Sequence, residues 1–76
     1  MSKSFKKAFG AALKEVREER KLSQSEIVRR TGLDRTTIPR YEKGDFNPLG
    51  EKIFLLAKAL EVSPAYFVQK IDDHLK

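Results

Sequence analysis

This 76-residue chain has no cysteine, which excludes disulfides and thiolate metal sites. It has a single histidine, His74, and no glycine-rich phosphate loop. The groups that usually carry nucleophilic or metal-assisted catalysis are therefore scarce. Asp72 and Asp73, beside that histidine, read as a solvated face. No apolar run approaches the roughly 20 residues of a membrane span, and no short apolar stretch precedes a small-residue cleavage site. A chain this short buries only about 60% of its unfolded surface, which leaves little room for an enzymatic cleft. Tight helix packing and oligomerisation are the remaining ways to stabilise it. The expectation is a cytoplasmic protein that is not an enzyme and has no metal, cofactor or membrane partner. With no sensor segment, no small-molecule effector is expected, and control would come through concentration and dimerisation.

What is abundant is positive charge. The formal net charge is +5, which points to an acidic partner. Its distribution is uneven. Residues 29–44 carry Arg29, Arg30, Arg35, Arg40 and Lys43 against Asp34 and Glu42, whereas in residues 63–76 two lysines face two aspartates. The cationic excess therefore lies in the first 44 residues.

Helical periodicity runs through nearly all of the chain, and strand alternation is almost absent. Phe5, Phe9, Leu13 and Val16 recur at three or four residues along one face of a first helix, capped by Ser4 and ending near Arg20. Gly10 lies inside that helix at a cost of about 1 kcal/mol relative to alanine. Ser23-Gln24-Ser25-Glu26 is a capping box that opens a short second helix. Gly32 offers the left-handed position that ends it. Asp34 is an N-cap for a third helix, closed by Gly44, with a loop over Asp45-Phe46-Asn47-Pro48. Ile53, Phe54, Leu56, Ala57 and Leu60 mark the buried stripe of a fourth helix. Ser63-Pro64 starts a fifth, carrying Phe67, Val68, Ile71 and Leu75. The fold expected is all-α, a compact arrangement of five helices in one domain over residues 1–76.

Two short helices joined around a glycine describe a helix-turn-helix, here over residues 24–43. Ile27, Leu33 and Ile38 supply an apolar wedge that fixes the angle between the two helices, partly covered by Tyr41. The motif is longer than that unit. Ser23-Gln24, Ile27, Gly32-Leu33-Asp34, Ile38 and Arg40-Tyr41-Glu42-Lys43-Gly44 stand at set spacings. Pro48, Leu55, Ala59-Leu60 and Val62-Ser63 follow them. From about Phe9 to Phe67 the chain resembles the Xre/lambda-repressor-like family. That resemblance implies a DNA-binding domain whose third helix enters the major groove of double-stranded DNA. It puts Arg35, Thr36 and Arg40 at base-contacting positions and makes Gln24 a phosphate anchor, with Thr37 and Lys43 as further phosphate contacts. It also implies an internal ion pair between Arg17 and Glu42. Arginine presents a fork that matches the O6 and N7 acceptors of guanine, while threonine can hydrogen-bond or touch a thymine methyl. For each arginine, contact with phosphate is the competing role. Arg29 and Arg30 divide evenly between DNA contact and a solvated basic surface.

Two residues depart from the family pattern. Val28 stands where a small residue is usual at a close helix crossing. Pro39 would be the fifth residue of a helix capped by Asp34, where proline costs about 3 kcal/mol. Either the first turn is distorted, or the helix starts later with Thr36 or Thr37 as its cap, which would swing Arg35 out of the helix.

The function expected is a transcriptional regulator of repressor or controller type, reading a pseudo-palindromic operator as a homodimer. One recognition helix covers too few bases for useful specificity, and Val68, Ile71 and Leu75 of the fifth helix are the candidate dimer interface. The alternative is an antitoxin or adaptor module whose main partner is a protein.

Overall fold

The computed structural model describes residues 4–76, so the first three positions of the expected domain lie outside the described residues. Five helices follow one another: α1 (Phe5–Glu19), α2 (Gln24–Thr31), α3 (Thr37–Lys43), α4 (Gly50–Ala59) and α5 (Pro64–Leu75). Among the described residues there is no strand. No helix among them is long and apolar enough to cross a membrane. α1 packs against both α5 and α3, α4 against α5 and α2, and α2 against α3.

The caps follow the local sequence closely. The Ser4 hydroxyl accepts from the Lys7 amide, Ser23 from that of Glu26 and Ser63 from that of Tyr66. These bonds satisfy amides that no helical carbonyl can reach. The reciprocal half of the expected capping box is not formed. The Glu26 carboxylate turns instead to Arg29 and Arg30 one turn along α2, where two guanidiniums compete with a single backbone amide.

Phe9 lies at the centre of the core, edge-on to Tyr41 with ring centroids 5.1 Å apart and 5.8 Å from Phe67. Leu13, Val16, Ile27, Ile38, Leu56 and Leu60 close around it, all fully buried. The α4 stripe is narrower than its composition suggests. Ile53, Leu56, Ala57 and Leu60 repeat at three and four and share one face, whereas Phe54, about 100° around the helix, is 63% exposed. α5 requires a second correction. Phe67 and Ile71, four residues apart, both face inward, and Ile71 keeps only 3% of its surface. Ile71 is thus a core residue of the single chain and has no area to offer a dimer interface. Leu75 is partly buried against the same core, and Val68 stays exposed.

A polar seam runs beside this core between α1 and α5. Lys70 Nζ lies 3.3 Å from Glu19 and 3.5 Å from Glu15, and the Tyr66 hydroxyl donates to Glu19 at 2.8 Å. His74 Nε2 lies 2.8 Å from Glu15, so the one histidine is engaged in helix packing.

α1 and α4 each close with a residue in the left-handed conformation, Lys21 at φ 57° and Glu61 at φ 62°. In both, the amide three residues past the end of the helix bonds to the carbonyl five residues back, Leu22 to Arg17 and Val62 to Ala57. Glycine normally holds this position because a Cβ is strained there. Lys21→Gly is therefore expected to stabilise the fold by about 0.5–1 kcal/mol, the strain relieved less the added freedom of the unfolded chain. Urea unfolding with an unchanged slope and a higher midpoint would show it; a lower midpoint would count against it.

Candidate nucleic-acid interface

The site grows from the junction of α2 and α3. Gly32 ends α2 in the left-handed conformation at φ 72°, and Leu33 packs against the core. Asp34 then directs the chain. Its Oδ1 accepts from the Thr36 amide at 2.9 Å and the Thr36 hydroxyl at 2.8 Å, and its carbonyl accepts from the Thr37 amide. This is an Asx turn leading into the helix, not a cap on a helix already begun. These bonds, first that of the Thr36 amide, hold the Asp34 carboxyl below the usual aspartate range.

The later of the two expected helix starts is the one found, with Thr36 as the residue before α3. Thr36 makes no side-chain cap, however, and its hydroxyl points back to Asp34. Pro39 becomes the third residue of α3, where a missing N–H costs no helical bond. The carbonyl four residues before it belongs to Arg35 in the turn, outside the helix, so the ring does not strain the helical ladder. Arg35 is displaced into that exposed turn as a consequence.

An open groove runs between the two helices. Gln24, Ser25 and Val28 line it from α2, Arg35 and Thr36 from the turn, and Pro39, Arg40 and Lys43 from α3. It thus gathers five of the six residues singled out in the sequence for DNA contact. Thr37, on the first turn of α3, lies outside the groove lining. Ser25, Val28 and Pro39 are additions; spacing along the chain cannot find them because they line the groove from two different helices.

The cations divide into two groups. Arg29 and Arg30 pair with Glu26, and Arg30 also donates to the Ala59 carbonyl at 2.8 Å, closing the end of α4. Arg30 is therefore part of the scaffold. Among the described residues Arg35, Arg40 and Lys43 form no ion pair, so the groove keeps its positive charge. The Arg40 guanidinium lies 5.5 Å from the centroid of the Phe46 ring, which itself meets Tyr41 edge-on. This cation–π contact orients an otherwise flexible side chain beside the groove. The signal for Phe46 was present in the sequence as a bulky aromatic in a polar loop.

Behind the groove, the Glu42 carboxylate anchors α3 to α1. Arg17 Nε donates to Oε2 at 2.6 Å and a terminal nitrogen donates to Oε1 at 3.0 Å, while the other terminal nitrogen holds the Leu22 carbonyl at 2.9 Å. Hydrogen bonding to Glu42 raises the guanidinium pKa further above its ordinary value. Gln24 Nε2 donates to the same Glu42 Oε1 at 3.0 Å. The Gln24 side chain is therefore fixed across the start of α2, with its carbonyl and second N–H left over. Lys7 Nζ reaches the Lys43 carbonyl at 3.5 Å, at the end of α3.

This arrangement can place a short helix, two guanidiniums and a lysine against an acidic, grooved surface. The comparisons with known proteins agree with that geometry. The helix-turn-helix family model matches residues 13–67. The restriction-modification controller protein C.AhdI from Aeromonas hydrophila is 34% identical, with 82% of this chain and 94% of that one covered and a TM-score of 0.76. The controller protein C.Esp1396I, solved as a tetramer in complex with its natural 35 base-pair operator, is 25% identical over 96% of both chains, with a TM-score of 0.87. The clp gene regulator ClgR from C. glutamicum shares the fold at a TM-score of 0.91 over 100% of this chain and 97% of its own, at 18% identity. No match was found among curated proteins. With most of its length matched by one family model, and its motif resembling the Xre/lambda-repressor-like type, the chain belongs to the helix-turn-helix family.

Proposed function

We propose that the protein is a sequence-specific, double-stranded DNA-binding transcriptional regulator of repressor or controller type, acting in the cytoplasm and without catalytic activity. The observation that carries this reading is the groove between α2 and α3, which holds Arg35, Thr36, Arg40 and Lys43 with no acidic residue in its lining. α3 lies in the major groove with Arg40 and Arg35 towards guanine edges. The start of α2, with Gln24, rests over the phosphate backbone, and Thr37 and Lys43 are further phosphate contacts. The likeness to C.Esp1396I, a protein solved on its operator, supports the same mode here.

Selection from a random DNA library tests the reading directly. The expected result is a pseudo-palindrome with at least one guanine in each half-site. Arg40→Ala is expected to weaken binding to it by about 5- to 150-fold, the equivalent of about 1–3 kcal/mol, and to relax specificity at one base pair. Weakening that is equal for all sequences would instead make Arg40 a phosphate contact. No selected sequence, with stoichiometric binding to a protein, would favour the antitoxin or adaptor reading.

Two half-sites about 34 Å apart require two copies of the chain. Because Ile71 is buried, the contact falls to other apolar groups. α4 exposes Leu49 at its cap and Phe54, at 66% and 63%, and α5 exposes Val68 at 50%. We assign the homodimer contact to these residues, with Leu75 at its edge. Phe54→Glu is expected to convert a dimer to monomers in light scattering and to lower operator affinity without changing the melting temperature of the monomer. A dimer that survives both Phe54→Glu and Val68→Glu would refute the assignment.

A further inference from the structure

The groove between α2 and α3 is lined by the cations Arg35, Arg40 and Lys43 and by the apolar residues Val28 and Pro39. Val28 and Pro39 line it from the two different helices, and both are half-buried. Val28 packs its inner side against the core, so it cannot withdraw. Pro39, in the first turn of α3, has a rigid ring fixed by the helix start described above. Thr36, three residues earlier in the turn before α3, lines the same groove. Its hydroxyl is held by Asp34.

In the major groove, DNA presents donors and acceptors on every base pair but only one apolar group, the C5 methyl of thymine. A rigid apolar patch in the same groove as two guanidiniums fits a pyrimidine methyl between polar edges. Resting on the DNA-binding reading above, we infer that Pro39, backed by Val28, is a specificity-determining residue that reads a 5-methylpyrimidine in each half-site. Val28 and Pro39, the two departures from the family pattern, then serve one purpose. The larger side chain on α2 and the ring on α3 build an apolar surface that a small residue at position 28 would not.

The test uses the full chain and the operator obtained by selection. Each thymine is replaced in turn by uracil, which removes only the methyl group. One thymine in each half-site is expected to lose about four-fold in affinity, the value of about 0.8 kcal/mol for burying one methyl-sized group. Cytosine at that position is expected to bind more weakly than 5-methylcytosine. Pro39→Ala, which suits a helical position and is expected to fold, should bind the thymine and uracil operators equally while keeping its guanine preference. Val28→Ala should reduce the same discrimination. Specific binding that is indifferent to every methyl group, or an undiminished uracil penalty in Pro39→Ala, overturns this inference alone. A chain that selects no DNA sequence overturns the DNA-binding reading and this inference with it.

Discussion

Gly10→Ala is expected to destabilise the protein by about 3 kcal/mol, although in an isolated helix the same change would stabilise by about 1 kcal/mol. A Cβ on Gly10 would lie 2.2 Å from the Tyr41 carbonyl oxygen and 2.9 Å from that of Glu42. Both are backbone atoms of α3, so no rotamer change can relieve the collision. Either α1 moves away from α3 or the last turn of α3 distorts. For a domain of this size about 3 kcal/mol corresponds to a fall of more than 10 °C in melting temperature. Thermal unfolding followed by circular dichroism measures it, and an equal or higher melting temperature would sink the explanation. Gly50→Ala is the control. Gly50 opens α4 with nothing within 4 Å of an added Cβ, so its replacement should be neutral or slightly stabilising. Because α3 carries the proposed DNA-contacting groove, Gly10→Ala should also weaken DNA binding at temperatures where the protein is still folded.

Removing Glu42 should have the other large effect. Its carboxylate holds two nitrogens of Arg17 and the amide of Gln24, and the Arg17 and Glu42 side chains keep only 12% and 6% of their exposure. Glu42→Ala strands a guanidinium in a poorly solvated place, for which about 3–5 kcal/mol is expected. The pair itself is worth far less than that loss, because its desolvation offsets much of the Coulomb attraction. The double change Arg17→Met with Glu42→Leu should therefore recover most of the stability. Chemical unfolding of the single and double variants separates the two, and a double variant as unstable as Glu42→Ala would contradict this account. By contrast, the exposed pair Arg20–Glu61, at 46% and 58% side-chain exposure, should contribute less than about 1 kcal/mol. In the proposed binding mode Gln24 links this network to function. With Glu42 removed, its amide loses the acceptor that fixes it, so operator affinity should fall in addition to stability.

Gly10 and Arg17 are seven residues apart on α1, two turns along the face that meets α3. One lets the backbones touch and the other fixes the separation with an ion pair. The pairing of Arg17 with Glu42 was legible through the resemblance to a family. The contact at Gly10 was not, because its partners are carbonyl oxygens, which every residue has.

The sequence by itself determined the five helices, the caps at Ser4, Ser23 and Ser63, the closing glycines Gly32 and Gly44, and the wedge of Ile27, Leu33 and Ile38. These rest on local physics: hydroxyls bonding amides three residues on, glycines accepting positive φ, and apolar groups repeating every three or four residues. Only the tertiary structure decided where α3 begins, since Asp34 can serve as a helix cap or as an Asx-turn acceptor and the local sequence permits both. It alone decided that Phe54 faces outward and Ile71 inward, because the periodicity marks an apolar stripe but not the width a neighbouring helix will cover. It also separated the cations, giving Arg30 to the end of α4 and leaving Arg35, Arg40 and Lys43 along the groove. Charge is counted along the chain but neutralised across it. The net charge of +5 that made an acidic partner plausible is therefore set by composition, whereas the surface that meets that partner is set by packing.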